Sequence, residues 1–335
     1  MRYQHLILGF LLVFAIACKP EKVEKEEEKQ DTYSCTDNNR FTEADFFTEG
    51  EIDYEYDINY GSAIDWLGND TELLFDVFYP RMELDSLALR PAIITIHGGG
   101  FQGGSKEGWR NECLEFAKKG FVAFTIKYRL GWDTSDPTDQ LNAVYRANQD
   151  ARAALRFIVA NAEEYGVDTD LLFIGGSSAG AINSLNTVYT SQEEWNDLIP
   201  GIEDKLGNLN TSSNELRNSF KLNAIYNNWG AAFKPYVQVE EMVPMISFHG
   251  DMDQTVPVDS GEYGLIGSRL LSQELQQKGI CSDLTIEPGG GHGIYRDAEG
   301  ITFRVGRASC FFKSVMCDSC NDFYAEEKVE PDCSL

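Results

Sequence analysis

Basic residues are scarce in this sequence. Its 335 residues include 28 lysines and arginines against 54 aspartates and glutamates, which gives a formal net charge of -26 at pH 7. A balance this acidic argues against nucleic acid or an anionic membrane surface as a partner, and it favours solubility. The chain is long enough to bury one large hydrophobic core or two smaller ones.

Long apolar runs are also lacking, apart from one near the start. Arg2 precedes an apolar run over residues 6–17 that is too short to span a bilayer but suits the core of a signal peptide, which we expect over residues 1–17. The run ends in Ala15-Ile16-Ala17-Cys18, which resembles the bacterial lipobox, although the lipobox usually has leucine where Ala15 stands.

The sequence after this run is polar and rich in charge, and we expect residues 18–40 to form a disordered acidic tether. We therefore expect an exported lipoprotein, in the periplasm or on the outer-membrane surface, whose only membrane contact is a lipid on Cys18. The alternative is an ordinary signal peptide that is cleaved nearby and releases a secreted protein.

The cysteines fit an exported chain. Besides Cys18 there are seven: Cys35, Cys113, Cys281, Cys310, Cys317, Cys320 and Cys333. We expect disulfides rather than a metal site in the tail over residues 317–335, because Cys317-x-x-Cys320 has neither a second pair nor histidines nearby. An odd number leaves one thiol unpaired, and we expect this to be Cys113, which lies on a predicted helix.

Apolar runs and amphipathic segments alternate along the rest of the chain, which predicts an α/β fold with a mostly parallel sheet and helices on both faces. We expect this domain over residues 41–316. Strands are predicted at 75–79, 92–96, 121–128, 171–174, 224–226, 244–248 and 284–286, and helices at 111–119 and 139–165. Residues 191–218 interrupt the pattern, and we expect either an inserted helical cap over the site or a long surface loop.

Two adjacent serines stand between glycines after the strand at 171–174. The stretch Gly176-Ser177-Ser178-Ala179-Gly180 fits the pattern G-x-S-x-G, with Ser178 at its centre. Such a turn between a strand and a helix raises the central hydroxyl into a cleft, where the start of the helix favours developing negative charge. We therefore expect Ser178 to be a nucleophile and Ser177 to hydrogen-bond within the turn.

A serine nucleophile needs a base, and the chain has only four histidines. His5 falls in the predicted signal peptide, and His97 precedes the serine. In proteins that carry this motif the acid and then the histidine follow the serine. His249 has no acid in a motif between it and Ser178, which leaves His292, in the glycine-rich loop after the last predicted strand.

The acid should lie between the two, in the stretch His249-Gly250-Asp251-Met252-Asp253. Both aspartates qualify from position alone, because either could accept a hydrogen bond from the far nitrogen of His292. The stretch resembles the H-G-x-x-D-x-x-V-P loop of many alpha/beta-hydrolases, and this resemblance implies that Asp253 is the acid.

Donors for an oxyanion are expected in the His97-Gly98-Gly99-Gly100 run, which follows the strand at 92–96. Consecutive glycines let backbone N–H groups turn towards a ligand. We expect Gly99 and Gly100 to donate together with the amide of Ala179, while His97 braces the loop.

Together these stretches resemble the alpha/beta-hydrolase superfamily, in its HGGG-bearing carboxylesterase branch of hormone-sensitive-lipase-like and bacterial feruloyl-esterase-like proteins. The resemblance covers residues 72–307 and rests on the HGGG run, Tyr128-Arg129-Leu130, Asp150 with Arg156, the G-x-S-x-G turn, the 249–253 stretch and His292. Two features depart from it: hormone-sensitive-lipase-like proteins more often have G-D-S-A-G, and residues 191–218 follow no familiar cap pattern.

The resemblance implies a serine carboxylic-ester hydrolase that forms an acyl-enzyme on short-chain, acetyl or feruloyl esters, with no metal or organic cofactor. The stretch 226–230 could line its pocket, although Trp229 could equally belong to the core. The alternatives are a peptidase or a polyester depolymerase of the same fold, and a catalytically inactive surface binding module.

Overall fold

The computed structural model describes residues 32–36, 39–233, 242–261, 264–331 and 333. The predicted signal peptide, Cys18 and most of the predicted tether lie outside these residues. Among the helices that the structure describes, none combines the length and the apolar character that crossing a bilayer requires.

Strands and helices alternate along the described chain. The strands are β1 (Ile52–Ile64), β2 (Asp70–Pro80), β3 (Arg90–Ile96), β4 (Val122–Ile126), β5 (Val167–Ser177), β6 (Leu222–Asn228), β7 (Ala231–Phe233), β8 (Met245–Gly250), β9 (Leu265–Gly267), β10 (Ser282–Glu287) and β11 (Phe323–Ala325). The α-helices are α1 (Arg110–Lys118), α2 (Asp139–Ala160), α3 (Ala162–Tyr165), α4 (Ala179–Tyr189), α5 (Gln192–Leu198), α6 (Ile202–Leu206), α7 (Ser268–Gln277) and α8 (Ala298–Met316).

Nine of the described strands form one sheet in the order β1-β2-β4-β3-β5-β6-β8-β10-β11. The pairs β1–β2 and β2–β4 are antiparallel. All the remaining neighbours in this sheet order, from β4–β3 to β10–β11, pair in parallel. The predicted mostly parallel sheet is therefore confirmed. Strands β7 and β9 form a separate antiparallel pair.

Helices cover both faces of the sheet, and neighbouring strand residues divide between two cores. Ile94 and Ile174 pack in a cluster with α2 and α4, whereas Ile93 and Phe173 pack in a cluster with α1 and α8. Successive side chains of a strand point to opposite faces, so a strand covered on both sides is apolar throughout. This is why the central strands were visible in the sequence as continuous apolar runs.

The predicted helix over residues 139–165 is two helices, because α2 ends at Ala160 and α3 begins at Ala162. Residues 191–218 contain the short helices α5 and α6. This segment packs on α2, where Tyr145 donates to Gln192 and to the carbonyl of Gly207, and Gln149 donates to the carbonyl of Leu206.

Three disulfides join the ends of the described chain to its body. They are Cys35–Cys317, Cys281–Cys320 and Cys310–Cys333, while Cys113 is a free and buried thiol. The expectation of disulfides in the tail and of an unpaired Cys113 is confirmed. The pairing itself could not be read from the spacing of the cysteines.

The turn from β5 into α4 lies directly on the end of β3. A Cβ atom added at Gly180 would lie 2.0 Å from the carbonyl oxygen of Ile96, and one added at Gly176 would lie 2.3 Å from the same atom. No side chain fits at either distance, so both flanking glycines of the G-x-S-x-G pattern are required by the approach of β3.

We expect Gly180→Ala to lower the free energy of unfolding by about 1 kcal/mol in urea denaturation. Alanine favours a helix over glycine by about 1 kcal/mol, but the clash with the backbone of β3 is an overpacking cost of about 1–3 kcal/mol that requires a shift of the turn or the strand. The matched control is Gly108→Ala, where no atom lies within 4 Å of the added Cβ. Equal unfolding midpoints for the two variants would contradict the packing described here.

Candidate active site

Ser178 occupies the sharp turn between β5 and α4. Its φ of 53° is in the left-handed region, which a serine adopts only when its surroundings hold it there. Asn228, the last residue of β6, supplies that support: its carbonyl accepts from the Ser178 amide at 2.9 Å, and its Nδ2 donates to the Gly176 carbonyl at 2.9 Å. The neighbouring strand thus clamps the turn on both sides of Ser178.

A chain of side-chain hydrogen bonds leads away from Ser178. Nε2 of His292 lies 2.8 Å from the Ser178 Oγ, and Nδ1 of the same ring lies 2.7 Å from Oδ2 of Asp253. Ser178 is thus the one of the two adjacent serines that meets the histidine, while Ser177 ends β5 in register with Asn228. The fold brings together three residues that the sequence holds far apart.

Asp253 lies in the turn after β8 and is buried. Its Oδ1 accepts from the amides of Thr255 and Val256, and its Oδ2 accepts from His292 and lies 3.2 Å from Nε2 of His249. Burial alone would raise the pKa of Asp253, but these hydrogen bonds hold its pKa well below the usual range. The carboxylate is therefore anionic where it meets His292.

The second aspartate of this stretch has different contacts. Asp251 is exposed, and its Oδ1 accepts from the Gly289 amide at 2.6 Å. It links the loop after β8 to the loop after β10. Of the two aspartates that the sequence position allows, Asp253 is the one that contacts His292.

The glycine run after β3 lies against the Ser178 turn. A Cβ placed on Gly98 would lie 3.1 Å from the Ser178 Cβ. Gly99 and Gly100 both have positive φ, 115° and 64°, and Gly100 lines the cavity next to Ser178 and Ala179. Ala179 is the first residue of α4, so its N–H has no acceptor within the helix. The amides expected to bind an oxyanion thus belong to two segments that border the same hydroxyl.

His97 has the contacts of a bracing side chain. Its ring stacks on Tyr128 with centroids 4.4 Å apart, the Tyr128 hydroxyl donates to the His97 carbonyl, and Nδ1 lies 2.8 Å from the Gly98 carbonyl. Burial lowers the pKa of His97, which keeps the ring neutral. These contacts hold the glycine loop against the strand that precedes it.

A cavity of about 670 Å³ opens beside Ser178. Its wall combines apolar and polar side chains from the loop after β3, from α2, α4 and β7, and from the segment after Asp253: Phe101, Gln140, Ile182, Ala231, Gln254, Thr255, Val256, Pro257, Ser260 and Leu265. None of the described residues of 191–218 is part of this lining, because that segment packs on α2. This segment, for which we expected either a cap or a surface loop, therefore does not form the described cavity wall.

The stretch 226–230 supports the site from behind. Tyr226 is buried in the core and accepts a hydrogen bond from Arg304, which also donates to Asn228. Trp229 is buried, with its ring centroid 6.4 Å from that of His292. These residues do not line the cavity among the described residues, which favours the core role that the sequence left open for Trp229.

Comparison with known proteins gives one family match and a set of relatives. Residues 75–233 match the family model BD-FAE. The chain is 34% identical over 110 residues to the neuroligin-like protein glit-1 of Caenorhabditis elegans, and 31% identical over 113 residues to carboxylesterase 1C of Mus musculus. These alignments cover 32% and 33% of this chain, and it spans only 15% and 20% of the two relatives.

The structure also resembles solved esterases. It superposes on the butyrate-bound esterase Est2 of Thermogutta terrifontis with a TM-score of 0.56 and 21% identity, covering 77% of this chain and 94% of the other. This likeness establishes the fold. Together the fold, the BD-FAE segment and the carboxylesterase relative show that the chain is similar to the carboxylesterase branch of the alpha/beta-hydrolases over part of its length.

Proposed function

We propose that this protein is a serine carboxylic-ester hydrolase. The observation that carries the proposal is the continuous hydrogen-bonded path from Ser178 through His292 to Asp253, at the carboxyl ends of parallel strands and beside a glycine loop. Parallel α/β sheets bind their ligands at this edge. A nucleophile, a base, an orienting acid and amide donors are the parts that acyl transfer needs.

In the proposed reaction, the Ser178 Oγ attacks the acyl carbonyl while Nε2 of His292 takes the hydroxyl proton. The amides of Gly99, Gly100 and Ala179 donate to the oxyanion, and each such donor contributes about 3 kcal/mol to the stability of the transition state. His292 then returns the proton to the departing alcohol. Water repeats the sequence on the acyl-enzyme and releases the acid.

Asp253 accepts from the Nδ1–H of His292, which leaves Nε2 unprotonated and facing the serine. Its low pKa keeps it charged while the imidazole gains a proton, so it stabilises the imidazolium. His292 is partly exposed and can therefore exchange its proton with a leaving alcohol or with water.

The cavity supports esters with a short or compact acyl group, including acetyl and feruloyl groups. Its apolar wall can bury a chain of a few carbons or one aromatic ring, while Gln140, Gln254 and Thr255 offer hydrogen bonds to an alcohol or to a phenol. The butyrate bound in the similar Thermogutta terrifontis esterase supports the proposal that the acyl group is short.

The N-terminal sequence supports an exported enzyme, held at the membrane through Cys18 if the lipobox-like site is used. The three disulfides agree with an oxidising compartment.

We expect Ser178→Ala to reduce kcat on p-nitrophenyl butyrate by at least about 10⁴-fold, because removal of a serine nucleophile leaves only binding and oxyanion stabilisation. Ser177→Ala is the matched control, one residue away, and should keep most of the activity. A fluorophosphonate probe should label Ser178 in the unmodified protein, as read by peptide mass spectrometry. Absence of labelling would instead support an inactive binding module.

We expect Asp253→Asn to lower kcat by about 10⁴-fold, because an amide at this position favours the wrong tautomer of His292. Asp251→Asn should stay within about threefold of the unmodified enzyme, since Asp251 contacts a backbone amide of the neighbouring loop and not the imidazole. The measurement is steady-state kinetics of both variants on the same ester. A larger loss of kcat in Asp251→Asn than in Asp253→Asn would make Asp251 the acid.

We expect kcat/KM to rise from p-nitrophenyl acetate to the butyrate ester by up to about fourfold per methylene, as each CH₂ is buried, and to fall for the dodecanoate. Methyl ferulate, a dipeptide anilide and a polyhydroxyalkanoate film complete the panel. Preference for the dodecanoate would contradict the short-chain assignment, and turnover of the anilide or the film alone would favour a peptidase or a depolymerase.

A further inference from the structure

We propose that His249 is a positioning residue, whose Nε2–H fixes the Asp253 carboxylate in the orientation that aims His292 at Ser178. The inference rests on the proposed hydrolase function, in which Asp253 acts on the base. It gives a role to a histidine that the sequence offered only as a rejected alternative for the base itself.

The proton on His249 can be assigned from its neighbours. The ring is fully buried at the end of β8, with Nε2 2.8 Å from the Val256 carbonyl and 3.2 Å from Oδ2 of Asp253. A carbonyl and a carboxylate can only accept, so Nε2 carries the hydrogen and shares it between them.

The other nitrogen of the ring is locked by a neutral donor. Nδ1 of His249 lies 2.7 Å from the hydroxyl of Ser268, the first residue of α7, and that hydroxyl also accepts from Nδ2 of Asn227. With its oxygen occupied by the amide, Ser268 can direct its O–H to Nδ1. A path of hydrogen bonds thus runs from Asn227 through Ser268, His249 and Asp253.

This path determines where the charge of Asp253 goes. The oxygen that faces His292 also faces His249, so the two imidazoles compete for one oxygen of the carboxylate. Without the His249 donor, more of the negative charge is available to His292, and the imidazolium form of His292 becomes more stable. The same loss leaves the carboxylate held only by the amides of Thr255 and Val256 on its other oxygen, so its charge stays beside His292 but the imidazole is aimed less well at Ser178.

In the part of the chain that the structure describes, the other charged groups nearby form no ion pair with Asp253. On the two loops, Asp251 accepts from the Gly289 amide and Glu287 ends β10, while on α7 Arg269 pairs with Asp259 at 2.7 Å. On β6, the neutral Asn227 donates to Ser268, which in turn bonds to His249. Among the described residues, His249 and His292 are the titratable side chains hydrogen-bonded or ion-paired with Asp253.

The experiment compares His249→Asn with His249→Gln. Asparagine can still accept from Ser268 but cannot reach Asp253, whereas glutamine places an N–H near the position of Nε2. In His249→Asn we expect the acidic limb of the pH profile of kcat/KM to move up by about 0.5–1 pH unit. We also expect the plateau value of kcat/KM to fall about tenfold, which corresponds to the loss of one hydrogen bond to a charged group. His249→Gln should restore the limb and most of the plateau.

The same shift should be visible without turnover. In protein with ¹⁵N-labelled histidine, the NMR titration midpoint of His292 should rise in His249→Asn, and this holds even if the hydrolase assignment fails, so the two failures can be told apart. Ser268→Ala, which removes the donor to Nδ1 together with the acceptor of the Asn227 amide, should give a smaller shift of the same sign and serves if the histidine variants do not fold. Ser272→Ala, a buried serine one turn further along α7 that bonds to Ser282, is the matched control and should give no shift. A lower plateau with an unmoved limb and midpoint would overturn the proposal, because it would show a purely structural role.

Discussion

The burial of one negative charge organises this site. An isolated buried carboxylate is costly, and Asp253 is ionised because two backbone amides and two imidazoles donate to it. Those donors come from the turn that follows it, from the end of β8 and from the loop after β10. The requirement to satisfy this carboxylate therefore fixes His292 relative to the sheet, and with it the approach of the imidazole to Ser178.

The segment that follows β8 contains both Asp253 and part of the cavity wall. The amides of Thr255 and Val256 donate to Asp253, and both residues also line the cavity. Pro257 and Ser260, a little further along the chain, line it too. In the proposed reaction, the wall that contacts the ester is thus continuous with the support of Asp253. We expect a substitution there to alter the cavity and the orientation of His292 together, whereas Ile182 of α4 also lines the cavity and belongs to a different element.

Local patterns in the sequence predicted most of the fold and the main members of the site. The central strands are buried on both faces and so formed apolar runs, and the turn glycines are required by close backbone contacts. What the sequence did not reveal depends on contacts between distant segments. Strand β1 is largely exposed and its register shifts near Glu55, so it has no apolar run. The position of residues 191–218 is set by Tyr145 and Gln149 on α2, and Ser268 and Asn227 meet His249 only in the folded chain.

The disulfide from Cys35 to Cys317 has a mechanical consequence. Cys35 is joined to the residue that directly follows α8, a helix packed over the sheet in the same core as Phe173. A pull on the chain before Cys35 is thus transmitted through a covalent bond to the end of α8, and not first to the edge strand β1, whose pairing with β2 would otherwise open one hydrogen bond at a time. A protein tethered at its N-terminus would bear tension in its core and leave the sheet edge unloaded.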